Sequence, residues 1–468
     1  MQRPFSCFSL VLLAAACSPG TISNPEPRDS GGSPATGGGF SSSGTGGSAA
    51  SGQGGGSSAG QGGRSFAGQG GGSAPGQGGT PSFGNGGSRE VGPPTIFDGT
   101  PSPPAAGARF PFPQNRLVSG CSYPAMARNA DVRAAYDHWK SLTLTSNGAM
   151  GQIRVQRTME AGFDTVSEGI SYGMLVSVYM NDQATFDKLW LYEQKYSDPV
   201  GLMNWRVSAD GGSVTGNGSA TDADEDMAWA LIMADKQWGG SGSLGTPYLT
   251  LAKTMLDTMW QYDVDHGRGE MLRPGDGWMD DRTNPSYFAP AYYRVFARVT
   301  GNQDWLKVVD SSYSIIDKLV SGASASAGLV SNWTNSGGVP GAGPDGDYGY
   351  DACRTPFRIA LDACLFGEPR AKTYLAKLSQ FFAGVGAANL KDGYHLDGSP
   401  TGSSLNLAFL GPAAVGAMSA SAAQGFLNDG YARAIPLLPG ETYYYNSSWG
   451  ILSLLMLSGN FLDYTQYP

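Results

Sequence analysis

After Arg109 the chain carries twelve segments with helical periodicity and scarcely any run that alternates as a strand does. They span about 128–143, 168–180, 183–196, 223–238, 247–262, 285–300, 303–319, 352–366, 370–383, 404–418, 420–434 and 444–458. They come in consecutive pairs, with glycine, proline and aromatic residues in the longer loops between pairs. Paired helices bury their apolar faces either by closing into a ring or by stacking as a solenoid. A solenoid needs a repeat of roughly 30–45 residues, and none is visible. The expected fold is therefore all-α: six helical hairpins in a toroid, an (α/α)6 barrel.

The chain before this helical part is of another kind. Residues 18–105 are mostly Gly, Ser, Pro, Ala and Gln, and Gly-Gln-Gly-Gly recurs at Gly52, Gly60, Gly68 and Gly76. Such a segment has little apolar surface to offset the entropy of ordering, so a disordered Gly/Ser-rich tether is expected, with a reach on the order of 50 Å. Residues 1–17 read as a signal peptide: Arg3 supplies the positive charge, and the apolar stretch from Phe8 to Ala16 is too short to span a bilayer. Leu13-Ala14-Ala15-Ala16-Cys17 resembles a bacterial lipobox, which makes Cys17 the expected lipidation site. The protein is then expected to be secreted or at the cell surface, as an outer-membrane lipoprotein of a bacterium, touching the membrane only through that lipid. Residues 106–468 are left as the catalytic domain.

Composition narrows the partners. Lys plus Arg total 30 against 39 Asp plus Glu, a net charge of -9, with no basic stripe. Nucleic acid is excluded as a partner, because phosphate binding needs clustered cations. Three cysteines remain beyond Cys17: Cys121, Cys353 and Cys364. Cys353 and Cys364 share one predicted helix about 16 Å apart, too far to pair. With no Cys-x-x-Cys and with His138, His266 and His395 scattered, no zinc site, and no cofactor of any kind, is expected. Asp222-x-Asp224-x-Asp226 imitates a calcium loop, but Met227 replaces the glycine at position six and no Glu follows at position twelve.

Three acidic residues share one context. Glu168, Asp222 and Asp351 each stand at or just before a predicted helix start. In a toroid of hairpins the starts of one helix layer gather at one rim, so three carboxylates distant in sequence can meet in one cleft. Asp222 opens a dense acidic run, Asp222-Ala223-Asp224-Glu225-Asp226, where Thr221 or Asp222 is placed to cap the helix. Paired carboxylates without metal ligands point to glycosidic bond cleavage, one as proton donor and one activating water. The donor needs a raised pKa, from burial or from a close like charge such as Asp222 beside Glu168. Arg354 and Arg358, one helical turn apart near Asp351, are placed to fix a carboxylate or a hydroxyl, or to form structural salt bridges.

Aromatic residues are the second line of reasoning. Trp205, Trp278, Tyr287, Phe288, Tyr348, Tyr350 and Tyr443-Tyr444-Tyr445 lie in or beside loops. Sugars present flat C–H faces that stack on such rings. For each ring taken singly, packing a loop onto the barrel is the better reading; the set favours a cleft.

Together these motifs resemble glycoside hydrolase family 8, the inverting (α/α)6 enzymes that include endoglucanases, lichenases, xylanases and chitosanases. Ala220 to Trp238 resembles the family signature along its length. Ser167-Glu168-Gly169 with Tyr172-Gly173-Met174 resembles the proton-donor segment, and Tyr350-Asp351 with Arg354-Thr355-Pro356 resembles the base segment of the endoglucanase-like subgroup. Asn284-Pro285-Ser286-Tyr287 resembles a substrate-cleft loop, and Phe357 stands where many relatives have Trp. The resemblance covers about Gly107 to the C-terminus. It implies Glu168 as general acid, Asp351 as general base and Asp222 as the residue that holds the sugar at the cleavage point. Tyr172, Trp205, Tyr287, Tyr350, Arg354 and Tyr444 are the expected substrate contacts.

The expected activity is endo-hydrolysis of β-1,4 bonds in a polysaccharide with inversion, cellulose-type or mixed-linkage β-glucan first, xylan and chitosan next, by a monomer. Inversion calls for Glu168 and Asp351 carboxyls roughly 6.5–9.5 Å apart. The rival from another class is a non-catalytic glycan-binding surface lipoprotein that uses the same groove.

Overall fold

Twelve α-helices follow the expected order in the computed structural model, which describes residues 107–322, 324 and 326–468. They are α1 Asn129–Thr143, α2 Ser167–Tyr179, α3 Gln183–Glu193, α4 Thr221–Trp238, α5 Tyr248–Tyr262, α6 Pro290–Thr300, α7 Trp305–Ser321, α8 Thr355–Leu365, α9 Pro369–Val385, α10 Leu407–Ala417, α11 Gln424–Leu437 and α12 Tyr444–Leu457. The signal peptide, Cys17 and the 18–105 tether lie outside the described residues.

Burial sorts the helices into two layers. Every residue of α2, α10 and α12 is buried, so these helices are enclosed on all sides and have no solvent-facing stripe. The odd-numbered helices bury one face only, as α1 does with Val132, Ala135, Tyr136 and Trp139. The even-numbered helices form the inner ring. In it α2 packs on α4, α6 on α8, α8 on α10, α10 on α12, and α12 returns to α2. The α4–α6 link is a stack of Trp229 on Tyr292, centroids 4.1 Å apart. The ring is closed, as an (α/α)6 barrel requires. Gly173 lets α2 sit close to its surroundings, since a Cβ there would come within 2.7 Å of Leu189 and 3.0 Å of Val155.

Two helix starts differ from expectation, each for a local reason. The segment expected at 285–300 begins as a 3-10 turn, Pro285–Tyr287, closed by Ser286 N–H donating to the Asn284 side chain at 3.0 Å. The α-helix starts only at Pro290, because the residue before a proline is kept out of helical geometry. The segment expected from 352 also begins as a 3-10 turn, Ala352–Arg354. Pro356 has no N–H to offer the Ala352 carbonyl, so the Thr355 N–H takes it instead.

The capping expected of Thr221 or Asp222 is not found. Ala220 is the N-cap, with no side-chain cap, and its carbonyl accepts from Ala223 and Asp224 N–H groups. Thr221 and Asp222 lie inside the first turn.

Short antiparallel strands brace the loops between hairpins. Thr165–Val166, Arg206–Val207 and Val214–Gly216 form a three-stranded sheet just ahead of α2. Cys121 and Cys364 form a disulfide across 243 residues, Cα atoms 5.5 Å apart, while Cys353 is free and buried. Among the described residues no helix is long and apolar enough to cross a membrane.

Candidate active site

Since hairpins alternate direction, all inner helices present their starts to the same rim. A cavity of about 580 Å³ opens there. Its walls include Val166–Glu168 at the start of α2, Ala220 and Asp222 at the start of α4, Tyr287 ahead of α6, and Gly349–Asp351 ahead of α8. The three carboxylates, separated by 54 and 129 residues, thus share one cavity.

One guanidinium gathers them. Arg354 Nη1 donates to Glu168 Oε2 at 2.7 Å and to Asp222 Oδ2 at 2.5 Å, and Nη2 donates to Asp351 Oδ1 at 3.0 Å. Its Nε donates to Ser286 Oγ at 3.1 Å and to the Asp351 carbonyl at 3.3 Å. Three carboxyl partners and a fixed planar fork are what let a guanidinium remain charged while fully buried. With C–N bonds of about 1.33 Å, this bridge sets an upper limit of about 8 Å between the bound oxygens of Glu168 and Asp351. An inverting pair spans roughly 6.5–9.5 Å, and the part of that range below about 8 Å is open to these two oxygens.

The two outer carboxylates differ in environment. The Glu168 side chain is 8% exposed and the Asp351 side chain 26%. Burial pushes Glu168 up to about 7; Arg354 and the Tyr444 hydroxyl pull it down, while Asp222 and Asp351 push it up. Tyr444 donates that bond to Oε1. Burial also raises Asp351 above the usual carboxylate range, opposed by Arg354 and reinforced by Asp222. Asp222 is thus one contributor to the poise of Glu168, behind burial.

Aromatic rings form the walls. Trp278 and Trp333 stack with centroids 5.5 Å apart, Tyr287 meets Trp333 edge-on, and Trp205 and Tyr350 complete the set. Flat faces over a carboxylate floor suit a chain of sugar rings.

The residues match the family described as glycosyl hydrolases family 8 over 110–459. The chain belongs to glycosyl hydrolase family 8. It is 41% identical over 337 residues to Endoglucanase A of Acetivibrio thermocellus, covering 71% of this chain and 70% of that one. It is 35% identical over 389 residues to a Beta-glucanase of Niallia circulans, covering 77% of this chain and 93% of that one. The apo structure of a Beta-1,3-1,4-glucanase from Paenibacillus sp. X4 superposes with a TM-score of 0.71 at 34% identity, over 76% of this chain and 100% of that one.

In this family 8 hydrolase the expected sugar contacts divide. Trp205, Tyr287 and Tyr350 line the cavity. Tyr172, Arg354 and Tyr444 do not: they are buried behind its wall, where Arg354 and Tyr444 hold the carboxylates and Tyr172 meets Arg354. Arg354 Nη1 reaches the Tyr172 hydroxyl at 3.3 Å. Phe288 and Tyr348 are fully buried packing residues, and the Tyr445 hydroxyl donates to the Tyr350 carbonyl at 2.6 Å. Sequence reasoning missed Trp333, Arg282 and Asp392, which also line the cavity. Trp333 had a signal, a lone Trp between polar residues in Ser331-Asn332-Trp333-Thr334-Asn335; Asp392 had none.

The four acids of the α4 start point in different directions. Asp222 faces the cavity. Asp226, one turn deeper, is held by Arg358 through both oxygens at 2.5 and 2.9 Å. Glu225 lies 3.4 Å from Arg358 and accepts from the Tyr293 hydroxyl at 2.9 Å. The hydrolase therefore carries two rungs between α4 and the α8 segment, Asp222–Arg354 and Asp226–Arg358, each offset by four residues on both sides. Asp224, about 200° round the helix from Asp222, turns the other way, toward Asp263 and Glu193.

Proposed function

We propose that this family 8 hydrolase cuts internal β-1,4 bonds of a cellulose-type or mixed-linkage β-glucan with inversion at the anomeric carbon. The observation that carries this is the Arg354 bridge, which joins a buried carboxyl poised near neutrality to a more exposed one, beneath a wall of aromatic rings. Protonated Glu168 donates its proton to the glycosidic oxygen as the bond to the anomeric carbon breaks. Asp351, ionised, takes a proton from the water that attacks that carbon from the opposite face. Asp222 holds the sugar that spans the cut and adds negative charge beside Glu168. The rings of Trp205, Trp278, Tyr287 and Trp333 carry the chain on either side.

The choice of β-glucan is supported by the endoglucanases and β-glucanases to which the chain is 35–41% identical. The Cys121–Cys364 disulfide supports export, since such bonds persist in oxidising compartments. With it we read the chain as a surface lipoprotein carried on Cys17 and the 18–105 tether, acting as a monomer.

The test is the configuration of the first product. Hydrolysis of lichenan or a cello-oligosaccharide, followed by proton NMR within the first minutes, is expected to show the α-anomer. An initial β-anomer would defeat the assignment of Asp351 as base. Sugar release from carboxymethyl cellulose, lichenan, xylan and chitosan, run side by side, is expected to rank a β-glucan first. Binding of all four without release would establish the glycan-binding alternative.

A further inference from the structure

Five carboxyl groups collect on the outward side of the α4 start: Asp224 on α4, Asp263 just after α5, Glu193 at the end of α3, Asp198 in the loop that follows, and Asp276 in the loop ahead of α6. Asp224, Asp263 and Glu193 have no exposed surface, Asp198 is buried and Asp276 is half-buried. Among the described residues no Lys, Arg or His pairs with any of them. Arg273, ten residues after Asp263 in the chain, donates to the Tyr262 carbonyl and faces Asp265. Neither oxygen of Asp224 finds a donor, nor does Oδ2 of Asp263 or of Asp198.

This cluster abuts one short segment. Ser219 N–H donates to Asp276 Oδ1 at 2.7 Å, Asp276 N–H donates to Ser219 Oγ at 3.2 Å, and Ser219 Oγ donates to Asp263 Oδ1 at 3.4 Å. The fit is close: a Cβ on Gly218, whose φ is +81°, would lie 2.9 Å from Asp276 Oδ1, and one on Gly275 would lie 2.1 Å from the Ser219 carbonyl. Three cavity residues are attached here. Trp205 N–H donates to the Gly218 carbonyl at 2.8 Å, Asp222 follows two residues after Ala220, and Trp278 N–H donates to the Gly275 carbonyl at 3.2 Å.

We infer that Asp224 and Asp263 share protons as neutral acids, and that Asp263 and Asp276 are positioning residues which hold Gly218–Ala220 and, through it, Trp205, Asp222 and Trp278. Burial without a counter-charge is the reason. A carboxyl so placed favours its uncharged form, and a shared proton supplies the donor that the surroundings lack. Burial, reinforced by the neighbouring carboxyls, drives Asp224 and Asp263 well above the usual range. It raises Asp198 too, and lifts Glu193 to about 8. Groups raised in this way contribute stability at low pH and lose it as pH rises through their folded values.

The experiment compares the full chain with Asp263→Asn and Asp263→Leu. An amide is neutral and donates as a protonated acid does. Asp263→Asn is therefore expected to keep kcat on lichenan within about threefold, and its Tm is expected to fall less than the parent's between about pH 6 and about pH 9. Asp263→Leu keeps neutrality but loses the bond to Ser219; a misplacement of about 1 Å costs on the order of 100-fold, so kcat should fall by about tenfold or more, with KM raised as the Trp rings shift. Where Asp263→Leu does not fold, Asp276→Ala, at a half-buried site, is expected to give the same loss. Proton sharing is overturned if Asp263→Asn loses Tm at pH 6 and keeps the parent's pH slope. It is likewise overturned by a stoichiometric calcium or other divalent ion whose chelation lowers Tm, since the acids are then charged. Positioning is overturned if Asp263→Leu or Asp276→Ala keeps the parent's kcat and KM. The thermal readings need no substrate, so they decide proton sharing even if the glucan assignment fails.

Discussion

On its inward side α4 sets Asp222, Glu225 and Asp226 against two guanidiniums, Arg354 and Arg358; on its outward side Asp224 faces Asp263 and pairs with no cation among the described residues. The same helical turn therefore hosts two kinds of carboxyl. Inward, burial raises Glu225 and Asp226 and Arg358 opposes it, while Glu168, opposed in the same way by Arg354, is left near neutrality where it can give up a proton. Outward, unit charges about 4 Å apart would repel by about 4 kcal/mol at an effective dielectric near 20, so protons stay on. The lesson is that burial raises the acids on both sides and only the inward ones have a guanidinium to oppose it, a difference of which the acidic run in the sequence says little.

The largest expected effect separates the two sides outright. Glu168→Gln removes the inward proton donor and is expected to lower kcat on unactivated glucan by on the order of a thousandfold or more, with binding retained in calorimetry. Full activity would end the inward reading. Arg358→Met leaves Asp226 and Glu225 buried without a counter-charge and is expected to cost about 3–5 kcal/mol, read as a lower Tm. The double variant Arg358→Met with Asp226→Leu should recover the part of that loss owed to Asp226, because an apolar pair of similar volume needs no desolvation. If it does not, the second rung does more than balance charge.

Smaller effects sharpen the contrast. Arg354→Lys keeps a charge but loses the fork, and is expected to lower kcat by about 100-fold. Since Arg354 holds Glu168 down, weakening the bridge should move the alkaline limb of kcat/KM upward from about 7. In the parent, rate falls above that limb as Glu168 loses its proton, and falls on the acid side as Asp351 gains one. The smallest effect belongs to the outward side. Asp224→Asn is expected to change stability by no more than about 0.5 kcal/mol near pH 6, since it replaces a protonated acid with its amide. A loss as large as that of Arg358→Met would show that Asp224 is charged after all.

These contrasts bear on what the sequence could reveal. All twelve helices were legible, because an inner helix such as α10 is a continuous apolar run and outer ones such as α1 are one-sided. The three acids at the rim were legible too, each a polar residue opening an apolar helix. The pairings were not. Arg354 lies 186 residues from Glu168 and 132 from Asp222, and nothing local tells a guanidinium that spans three carboxylates from one that meets a sugar hydroxyl. The 3-10 turns ahead of α6 and within the α8 segment were hidden in Ala289-Pro290 and Thr355-Pro356, where proline chemistry shifts a helix start by a few residues. Asp224 and Asp226 look alike in sequence, and only their angle round α4 assigns one to an arginine and the other to an acid.

The Cys121–Cys364 bond has a mechanical meaning. Cys121 precedes α1, and Cys364 sits near the end of α8, on the inner ring. A pull applied to the chain from its N-terminal side is delivered at residue 121 straight into the inner ring, without first unwinding α1 or the hairpins that follow it. A cut anywhere between the two cysteines leaves both pieces tied, so the loops of seven helices can be nicked without the barrel losing a covalent hold on its leading end.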